Sequence, residues 1–502
     1  MRAWQLLIII IGLGTACVLA QDTVRVHVEF DTPLRDWDGF GVNYVQTRHT
    51  RDYEEFPQDY GGFKYLNDAQ RAEIIELIFG DDGLKPGIIK MFCDPFHEPV
   101  NDNEDPYTLD MSKFDHETTT TWMRYFAREG VQRTRARGDD VQVLAGLYGP
   151  PGWTTKQNCL RGRDMDQAMK KEVAEYLASW AKYLRETEGL PVTFVSMHNE
   201  GEHQGRWDDD GVDRPNLYHH DYNMWWPWHQ IVDFLRYARP ILDLNGLRDV
   251  GMSCGETTSW GALVNVVNWD SVQVNIAQEL VNEFTAVANL GLITSHGFRQ
   301  EYTSEGVDIL QAAKPELHAW TTSYTWGDMS LDILEEARRL IYDVKCNALI
   351  PWATVHNDFE SDRLSPPHGF RESSNANSPI KTNDGEIEIT KAYYFFKQIS
   401  RAGQPGMAVA SVRSSDPDIQ LLAWSSNDTK HADAFVVLNN GTNPKLVEIS
   451  VDTGTYRVVR SSDVEFGDEN FMEVNAAQQI TDKSYSYEAP PLSATTFFKS
   501  LP

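Results

Sequence analysis

Two polar residues, Asn199 and Glu200, end an apolar, β-branched run that begins at Val192. Helical sequence lies on both sides of this run, a pattern typical of a buried parallel strand. In barrel enzymes the residues at the carboxyl ends of such strands carry the chemistry. A carboxyl group there is suited to general acid catalysis, for example to protonating the leaving oxygen of a glycosidic bond.

The segments around this motif alternate between strand-like and helix-like from about residue 39 to 400. The clearest helical pattern has Met169, Val173, Leu177, Trp180 and Leu184 on one face. The alternation predicts a (β/α)8 barrel rather than an open doubly wound sheet, and no glycine-rich phosphate loop follows the first strand. The predicted strands are Gly39–Tyr44, Gly87–Phe92, Val141–Tyr148, Val192–His198, Val250–Gly255, Leu290–Gly297, Leu317–Ser323 and Ala348–Val355.

The pattern changes after about residue 404, where short alternating segments are broken by Asn, Gly, Pro and Asp. These segments predict an all-β sandwich over residues 404–502. The strand-like segment Thr23–Phe30 precedes the barrel, and we expect residues 21–36 to join that sandwich. Residues 37–403 are then the (β/α)8 barrel.

The amino-terminal segment Met1–Ala20 has Arg2 followed by a short apolar run, the pattern of a secretory signal peptide. Cleavage is expected before Gln21, which predicts a secreted protein, or a periplasmic one if the source is bacterial. No later segment approaches the length of a membrane span. The remaining cysteines are few and far apart, so no disulfide framework is indicated, although one bridge is possible.

The formal net charge of −29 argues against nucleic acid and anionic membranes as partners. The chain contains 15 Trp, 20 Tyr and 22 Phe. Sugar rings stack on such flat side chains, although most aromatic residues of any protein belong to its core. The sequence thus favours a neutral carbohydrate partner, implies no cofactor or metal, and leaves the oligomeric state open.

Several short motifs resemble those of glycoside hydrolase family 30, a family of retaining (β/α)8 glycosidases, in the same order along nearly the whole chain. The resemblance also implies that the amino-terminal strand enters the carboxyl-terminal sandwich. The motifs are Asp38-Gly39-Phe40-Gly41, Gly149-Pro150-Pro151-Gly152-Trp153, Asn199-Glu200, Ser295-His296-Gly297-Phe298, and Tyr393-Tyr394 followed by Gln398-Ile399-Ser400-Arg401 and Pro405-Gly406.

The resemblance assigns roles to individual residues. Glu200 would donate the proton to the leaving oxygen, and Asn199 would bind the hydroxyl group next to the scissile carbon. Trp153 would stack on a sugar, His296 would line the sugar site, and Trp352 would form the floor of the cleft. Each has a structural alternative: a capping or salt-bridged glutamate, a turn asparagine, a core tryptophan or a core histidine.

The sequence departs from the family pattern at two positions. A retaining enzyme needs a nucleophilic carboxylate at the end of the seventh strand, where this chain has Thr322 or Ser323. Glu316 precedes that strand and should lie at the opposite end of the barrel. The family's arginine at the second strand is replaced by Lys90, which cannot make a forked pair with a carboxylate.

Three explanations follow. In the first, Glu256 at the end of the fifth strand replaces the missing carboxylate and activates water, which would invert the anomeric carbon and require roughly 6.5–9.5 Å between the two carboxyl groups. Weaker candidates, expected to be solvated loop acids, are Glu202, Asp94 and Glu98.

In the second explanation, the protein is a catalytically inactive carbohydrate-binding protein on a glycosidase scaffold. In the third, it is a metal-dependent enzyme, although neither an HExxH-type spacing nor a cysteine cluster supports this. The histidines that such a metal would use are His97, His198, His203 and His296. The prediction adopted is a glycoside hydrolase with Glu200 and Glu256 as catalytic residues, and Asn199, Trp153, His296, Lys90 and Trp352 as substrate-binding residues.

Overall fold

The computed structural model describes residues 23–47, 58–102, 105–207, 223–268, 271–325, 331–357, 378–383 and 385–500. The predicted signal peptide lies outside the described residues. So do residues 208–222, part of a long aromatic-rich segment that follows the fourth predicted strand.

A closed barrel of eight parallel strands forms the centre of the molecule. Each strand pairs with its neighbours in sequence, and the last pairs with the first through Ala348 and Gly39. All eight predicted strands are present, but seven of them are shorter than predicted, and the second is shifted by one residue. The first to eighth barrel strands are Gly39–Asn43, Ile88–Cys93, Gln142–Leu147, Val192–Ser196, Gly251–Ser253, Leu290–Ser295, Ala319–Thr321 and Ala348–Leu349.

Helices alternate with the barrel strands along the chain. The helix Lys170–Glu186 buries Val173, Leu177, Trp180 and Leu184, as its apolar spacing predicts. The helices of the described residues are Asp68–Phe79, Thr121–Ala136, Lys170–Glu186, Trp228–Leu244, Ile276–Asn282, Phe284–Asn289, Glu305–Ala313, Asp332–Tyr342 and Lys391–Ala402.

Apolar side chains fill the inside of the barrel. Ile88, Leu144, Leu292 and Trp320 from four different strands form one buried cluster. Such layers make a barrel interior a packed core and not a channel. Polar groups of the strands are therefore left to the carboxyl ends, above this layer.

A second, nine-stranded sheet contains the amino-terminal strand Val24–Asp36. This strand runs antiparallel to Ala408–Ser414 and parallel to Lys445–Ser450, so it lies between them. Its alternate residues Val24, Val26 and Val28 are buried in a core of their own, as expected for one buried face of a strand. The other strands are Ile419–Ser425, Ala434–Asn439, Gly454–Ser462, Met472–Ile480, Ser484–Ala489 and Ser493–Lys499.

The predicted fold class, a (β/α)8 barrel with an accessory all-β domain, is confirmed. The loops also contain three small sheets. Their strands are Gln46–Thr47 with Gln58–Asp59, Val266–Val267 with Gln273–Val274, and Val355–His356 with Ile380–Asn383 and Glu386–Ile389. Cysteines 93, 159, 254 and 346 are all free thiols. Within the described ranges, no helix is both long and apolar enough to cross a membrane.

Candidate active site

The ends of the fourth and fifth barrel strands are tied together by their backbones. The amide of Glu200 donates to the carbonyl of Glu256 (2.7 Å), and the amide of Glu256 donates to the carbonyl of His198 (2.9 Å). Gly255 permits this approach, because a Cβ atom there would lie 2.0 Å from the imidazole Nε2 of His198. Glu200 and Glu256 therefore leave adjacent strands side by side.

Glu200 has a left-handed backbone, with φ of 51°. For a residue other than glycine this conformation costs about 1–3 kcal/mol and persists only where the surroundings impose it. Here the hydrogen bond of its amide to Glu256 imposes it.

Residues on or directly after three other barrel strands supply hydrogen-bond donors to the carboxylate of Glu256. Lys90 on the second strand forms an ion pair with Oε2, and the hydroxyl group of Thr322 donates to the same oxygen (2.6 Å). The Nε2 atom of His296 lies 3.1 Å from it. Burial alone would raise the pKa of Glu256, but the charge of Lys90 and the bond to His296 lower it well below its usual range. Glu256 is thus a buried but ionised carboxylate.

Space for this carboxylate comes from a glycine on the third strand. A Cβ atom at Gly146 would lie 3.1 Å from Oε1 of Glu256, closer than most real contacts. The missing side chain leaves room for Glu256 to reach across the barrel mouth towards Thr322. Thr322, which stands where an acid was expected after the seventh strand, is therefore in contact with an acid that follows the fifth strand.

The carboxylate of Glu200 has two charged neighbours. Its Oε1 lies 2.7 Å from Nδ1 of His296, and its Oε2 accepts from the guanidinium of Arg206 (3.0 Å). Arg206 also donates to the hydroxyl of Thr258 (2.8 Å), which ties the loop after the fourth strand to the loop after the fifth.

His296 directly follows the sixth strand, and its ring lies between the two carboxylates. One nitrogen faces Glu200 and the other faces Glu256. Burial lowers the pKa of His296, but the hydrogen bonds to both carboxylates outweigh burial, so its pKa is raised. The two carboxyl groups are thus one imidazole ring apart and are not in contact with each other.

The loop acids predicted as weaker candidates are buried and not solvated, so that expectation was wrong. Glu202 accepts hydrogen bonds from the amide and hydroxyl of Thr258 (2.9 and 2.6 Å). Burial would raise the pKa of Glu202, but the charge of Arg206 and the other neighbours lower it. Asp94 and Glu98 are also buried, next to the end of the second strand. The loops that carry these acids pack against the barrel, so their carboxyl groups are not exposed to solvent as expected.

The other predicted site residues, Asn199, Trp153 and Trp352, differ in how far they are buried. Asn199 pairs with Glu256 through a parallel bridge and is buried. Trp153 is half-buried, and its ring nitrogen donates to the carbonyl of Glu98 (2.9 Å). Trp352 is half-buried against Phe92 in an edge-on contact (ring centroids 5.5 Å apart), and it follows the end of the eighth strand instead of lying within it.

Lys90 was predicted as a substrate-binding residue that no longer had an acid to pair with. In the structure its side chain is buried and directed at Glu256, and it also donates to the carbonyl of Thr322 (3.3 Å). The lysine and the acid thus form a pair, with the acid supplied by another strand. Glu316 is exposed and precedes the seventh strand, as expected.

Arg206 and Gly146 were not predicted from the sequence, and Thr322 was considered only as the position of a missing acid. Arg206 follows Glu200 by six residues, so a cation close to the motif was the available signal. Its direction depends on the short 3-10 helix Gln204–Arg206 and could not be predicted. We use the name rim cluster for a set of six charged or titratable side chains at this barrel end: Lys90, Glu200, Glu202, Arg206, Glu256 and His296.

The histidines offered for a metal do not converge. His97 contacts His116 (Nδ1 to Nδ1, 2.9 Å), while the ring of His198 stacks on Trp226. Across the ranges that the structure describes, no group of three or more His, Cys, Asp or Glu residues is placed to hold a metal ion.

Comparison with solved structures identifies the fold. The chain matches the catalytic domain of family 30 xylanase C from Talaromyces cellulolyticus with a TM-score of 0.68, covering 95% of this chain and 100% of that chain at 15% identity. The chain has a glycoside hydrolase family 30-like fold.

Two further glycosidase structures agree with this assignment. A family 30 endoxylanase from Clostridium papyrosolvens matches with a TM-score of 0.63 and 14% identity, over 95% of this chain and 100% of that one. An endo-β1,6-glucanase also matches with a TM-score of 0.63 and 14% identity, over 95% and 94%. No protein-family model matches the sequence, and no curated protein matches it. The predicted resemblance is therefore confirmed for the fold.

Proposed function

We propose that the protein is a glycoside hydrolase that cleaves O-glycosidic bonds in a neutral oligo- or polysaccharide. The observation that carries the proposal is the buried carboxylate of Glu256, which contacts Lys90, His296 and Thr322, the residue that the seventh strand has instead of an acid. Glu200 stands one imidazole ring away on the neighbouring strand. Glycosidic cleavage requires a pair of carboxyl groups.

In this proposal Glu200 protonates the leaving oxygen and Glu256 acts on the anomeric carbon from the other side. The imidazole ring between the two carboxylates favours the wider spacing, in which a water molecule attacks and Glu256 removes its proton. The reaction would then invert the anomeric configuration. Proton NMR of the first product, recorded before mutarotation, distinguishes inversion from retention.

Removing either carboxylate tests the proposal directly. Xylan and β-1,6-glucan are the first polymers to try, because structural neighbours are named for acting on them. We expect the wild type to release reducing ends, and E256Q and E200Q each to lower kcat/KM about 10²–10⁴-fold. E316Q, at an exposed acid before the seventh strand, is the matched control and should keep full activity.

The alternative function, a catalytically inactive carbohydrate-binding protein, predicts binding of oligosaccharides without their cleavage. Calorimetric titration with the same oligosaccharides, combined with product analysis, separates the two functions. Binding without any product release would support the binding protein and contradict the hydrolase.

Export is part of the same proposal and rests on the amino-terminal segment Met1–Ala20. An exported chain would be cleaved there and found outside the cytoplasm with Gln21 at its amino terminus. Mass spectrometry of the native protein from each cell fraction tests this. A cytoplasmic protein that retains Met1 would contradict it.

A further inference from the structure

His296 has contacts that limit where the protons of the site can be. Both of its ring nitrogens lie within hydrogen-bond distance of a carboxylate oxygen, at 2.7 Å from Glu200 and 3.1 Å from Glu256. A carboxylate oxygen without a proton can only accept. Each of the two contacts therefore needs a proton of its own, and a neutral ring next to two ionised carboxylates supplies only one.

The proton on the Glu256 side belongs to the ring. Glu256 also accepts from Lys90 and from the hydroxyl of Thr322, so it is surrounded by donors and stays ionised. The Nε2 atom of His296 must then carry hydrogen, because two acceptors 3.1 Å apart would repel each other.

The contact between Nδ1 and Glu200 shares a single further proton. Arg206 binds the other oxygen of Glu200 at 3.0 Å, and this favours the ionised carboxylate and leaves the proton on the ring. The resting state is then an imidazolium ring between two carboxylates.

The charges around the ring agree with this count. The carboxylates of Glu200, Glu202 and Glu256 face two permanent cations, Lys90 and Arg206. A positive charge on His296 makes the rim cluster neutral, which is the state that a buried site favours.

Three further groups lie near the rim cluster: His198, His203 and Arg299, whose guanidinium lies 3.2 Å from Nε2 of His203. Burial lowers the pKa of His198 to about 4, so its ring is neutral at pH 7. Burial also lowers the pKa of His203, which lies 3.3 Å from Glu202. The ring of Phe298 covers one edge of His296 and carries no charge.

We infer that the acid of this site is the Glu200–His296 pair, in which His296 Nδ1 stores the proton that Glu200 passes to the leaving oxygen. This inference rests on the proposed function. His296 acts through Glu200 and is therefore a positioning residue and not a catalytic one.

The steps of the reaction balance. The N–H bond at Nδ1 breaks as an O–H bond forms on Glu200, and that proton moves to the leaving oxygen as the glycosidic C–O bond breaks with its electron pair. Water adds to the anomeric carbon and gives its second proton to Glu256. After product release, Glu256 loses this proton to solvent and Nδ1 regains one from solvent.

The first test measures the proton itself and does not depend on activity. Nitrogen-15 NMR of histidine-labelled protein should show both ring nitrogens of His296 protonated at pH 7, with the resonance assigned by its absence in H296Q. In E200Q one carboxylate charge is lost, and His296 should lose its proton at least about one pH unit lower. A neutral, single-tautomer His296 at pH 7 in the wild type would overturn the inference.

The second test uses turnover. H296Q keeps a polar side chain of similar reach but has no titrating proton. We expect kcat to fall about 10²-fold or more with KM nearly unchanged, and the alkaline limb of the pH profile to move, because that limb reports the pair and not Glu200 alone.

The matched control is H318Q. His318 also pairs with a carboxylate, Asp38 (2.7 Å), but it precedes the seventh strand and lies away from the rim cluster. H318Q should keep the wild-type profile. An active wild type whose pH profile is unchanged in H296Q would contradict the inference and leave the proposed function standing. A wild type without activity would contradict the proposed function, while the NMR measurement would still decide where the proton lies.

Discussion

Two groups of buried carboxyl groups in this protein have opposite electrostatics. In the rim cluster, Glu256 and Glu202 have lowered pKa values despite their burial. In a second group, which we call the Glu98 cluster, burial and like charges raise the pKa of Glu98 to about 8 and that of Glu175 to about 9. The Glu98 cluster consists of Glu98, after the second barrel strand, with Glu172 and Glu175 on the helix Lys170–Glu186.

The difference lies in the partners. The rim cluster contains Lys90 and Arg206, each in an ion pair with a carboxylate. Among the described residues, none of the three acids of the Glu98 cluster forms an ion pair, and each has one buried oxygen without a hydrogen bond. Glu98 and Glu256 are both 1% exposed, yet the pKa is raised for Glu98 and lowered for Glu256, because within the described ranges a cation forms an ion pair only with Glu256. Of these two groups, the rim cluster is the one whose carboxylates have cations beside them.

Removing the cation from the rim cluster should make it resemble the Glu98 cluster. We expect K90M to destabilise the protein by about 3–5 kcal/mol, because Glu256 would be left buried without its counter-ion. Chemical denaturation at pH 7 measures this effect.

The double variant K90M/E256Q removes both charges and provides the control. It should recover a large part of the stability lost in K90M, since no isolated charge is left buried. Equal stability of K90M and the wild type would mean that Glu256 does not depend on Lys90.

Removing the hydroxyl group of Thr322 should reduce the stabilisation of the ionised Glu256 carboxylate by a smaller amount. T322V keeps the size of the side chain but deletes the donor to Glu256, and a hydrogen bond to a charged group contributes about 1.5–3 kcal/mol. We expect the acid limb of the pH–activity profile to move to higher pH, because Glu256 would be easier to protonate.

T322S retains the hydroxyl group and should behave like the wild type in that profile. If T322V and T322S have the same acid limb, the hydroxyl group does not control the ionisation of Glu256.

The raised pKa values of the Glu98 cluster make the folded protein less stable as pH rises, whereas a lowered pKa such as that of Glu256 has the opposite effect. The unfolded chain releases the proton of Glu175 near its ordinary pKa of 4.5, whereas the folded chain holds it up to about pH 9. The stability that this proton contributes is therefore lost as pH rises through this range. Between pH 5 and pH 8, we expect the free energy of unfolding of the wild type to fall relative to that of E175Q. The expected fall is at least about 1.4 kcal/mol, the energy of one pKa unit.

Thermal unfolding at the two pH values measures this. Glu186 is exposed near the end of the same helix, so E186Q is the matched control and should leave the pH dependence unchanged. A pH dependence of E175Q identical to that of the wild type would show that Glu175 is ionised in the folded protein.

Much of the fold could be predicted because it depends on patterns that are local in sequence. Apolar β-branched runs such as Val192–Ser196 and the apolar face of Lys170–Glu186 are visible without any knowledge of their neighbours. Strand ends were predicted less well: the eighth strand ends at Leu349, although the apolar pattern continues to Val355, because the end of a ladder depends on its partner strands.

The site was predicted only in part. The position of Glu200 at a strand end follows from the sequence, and Glu256 could be named because it follows the fifth strand. The role of Thr322 as a donor to that acid, the direction of Arg206 and the room left by Gly146 could not be named, since each depends on atoms far apart in the chain.

The sequence by itself therefore determined the alternation of strands and helices, the acid at the end of the fourth strand and the absence of one at the seventh. The tertiary structure decided which carboxylate faces Thr322 and which charge stabilises it. The physical reason is that periodicity acts over a few residues, whereas a buried charge is set by the groups that barrel closure brings around it.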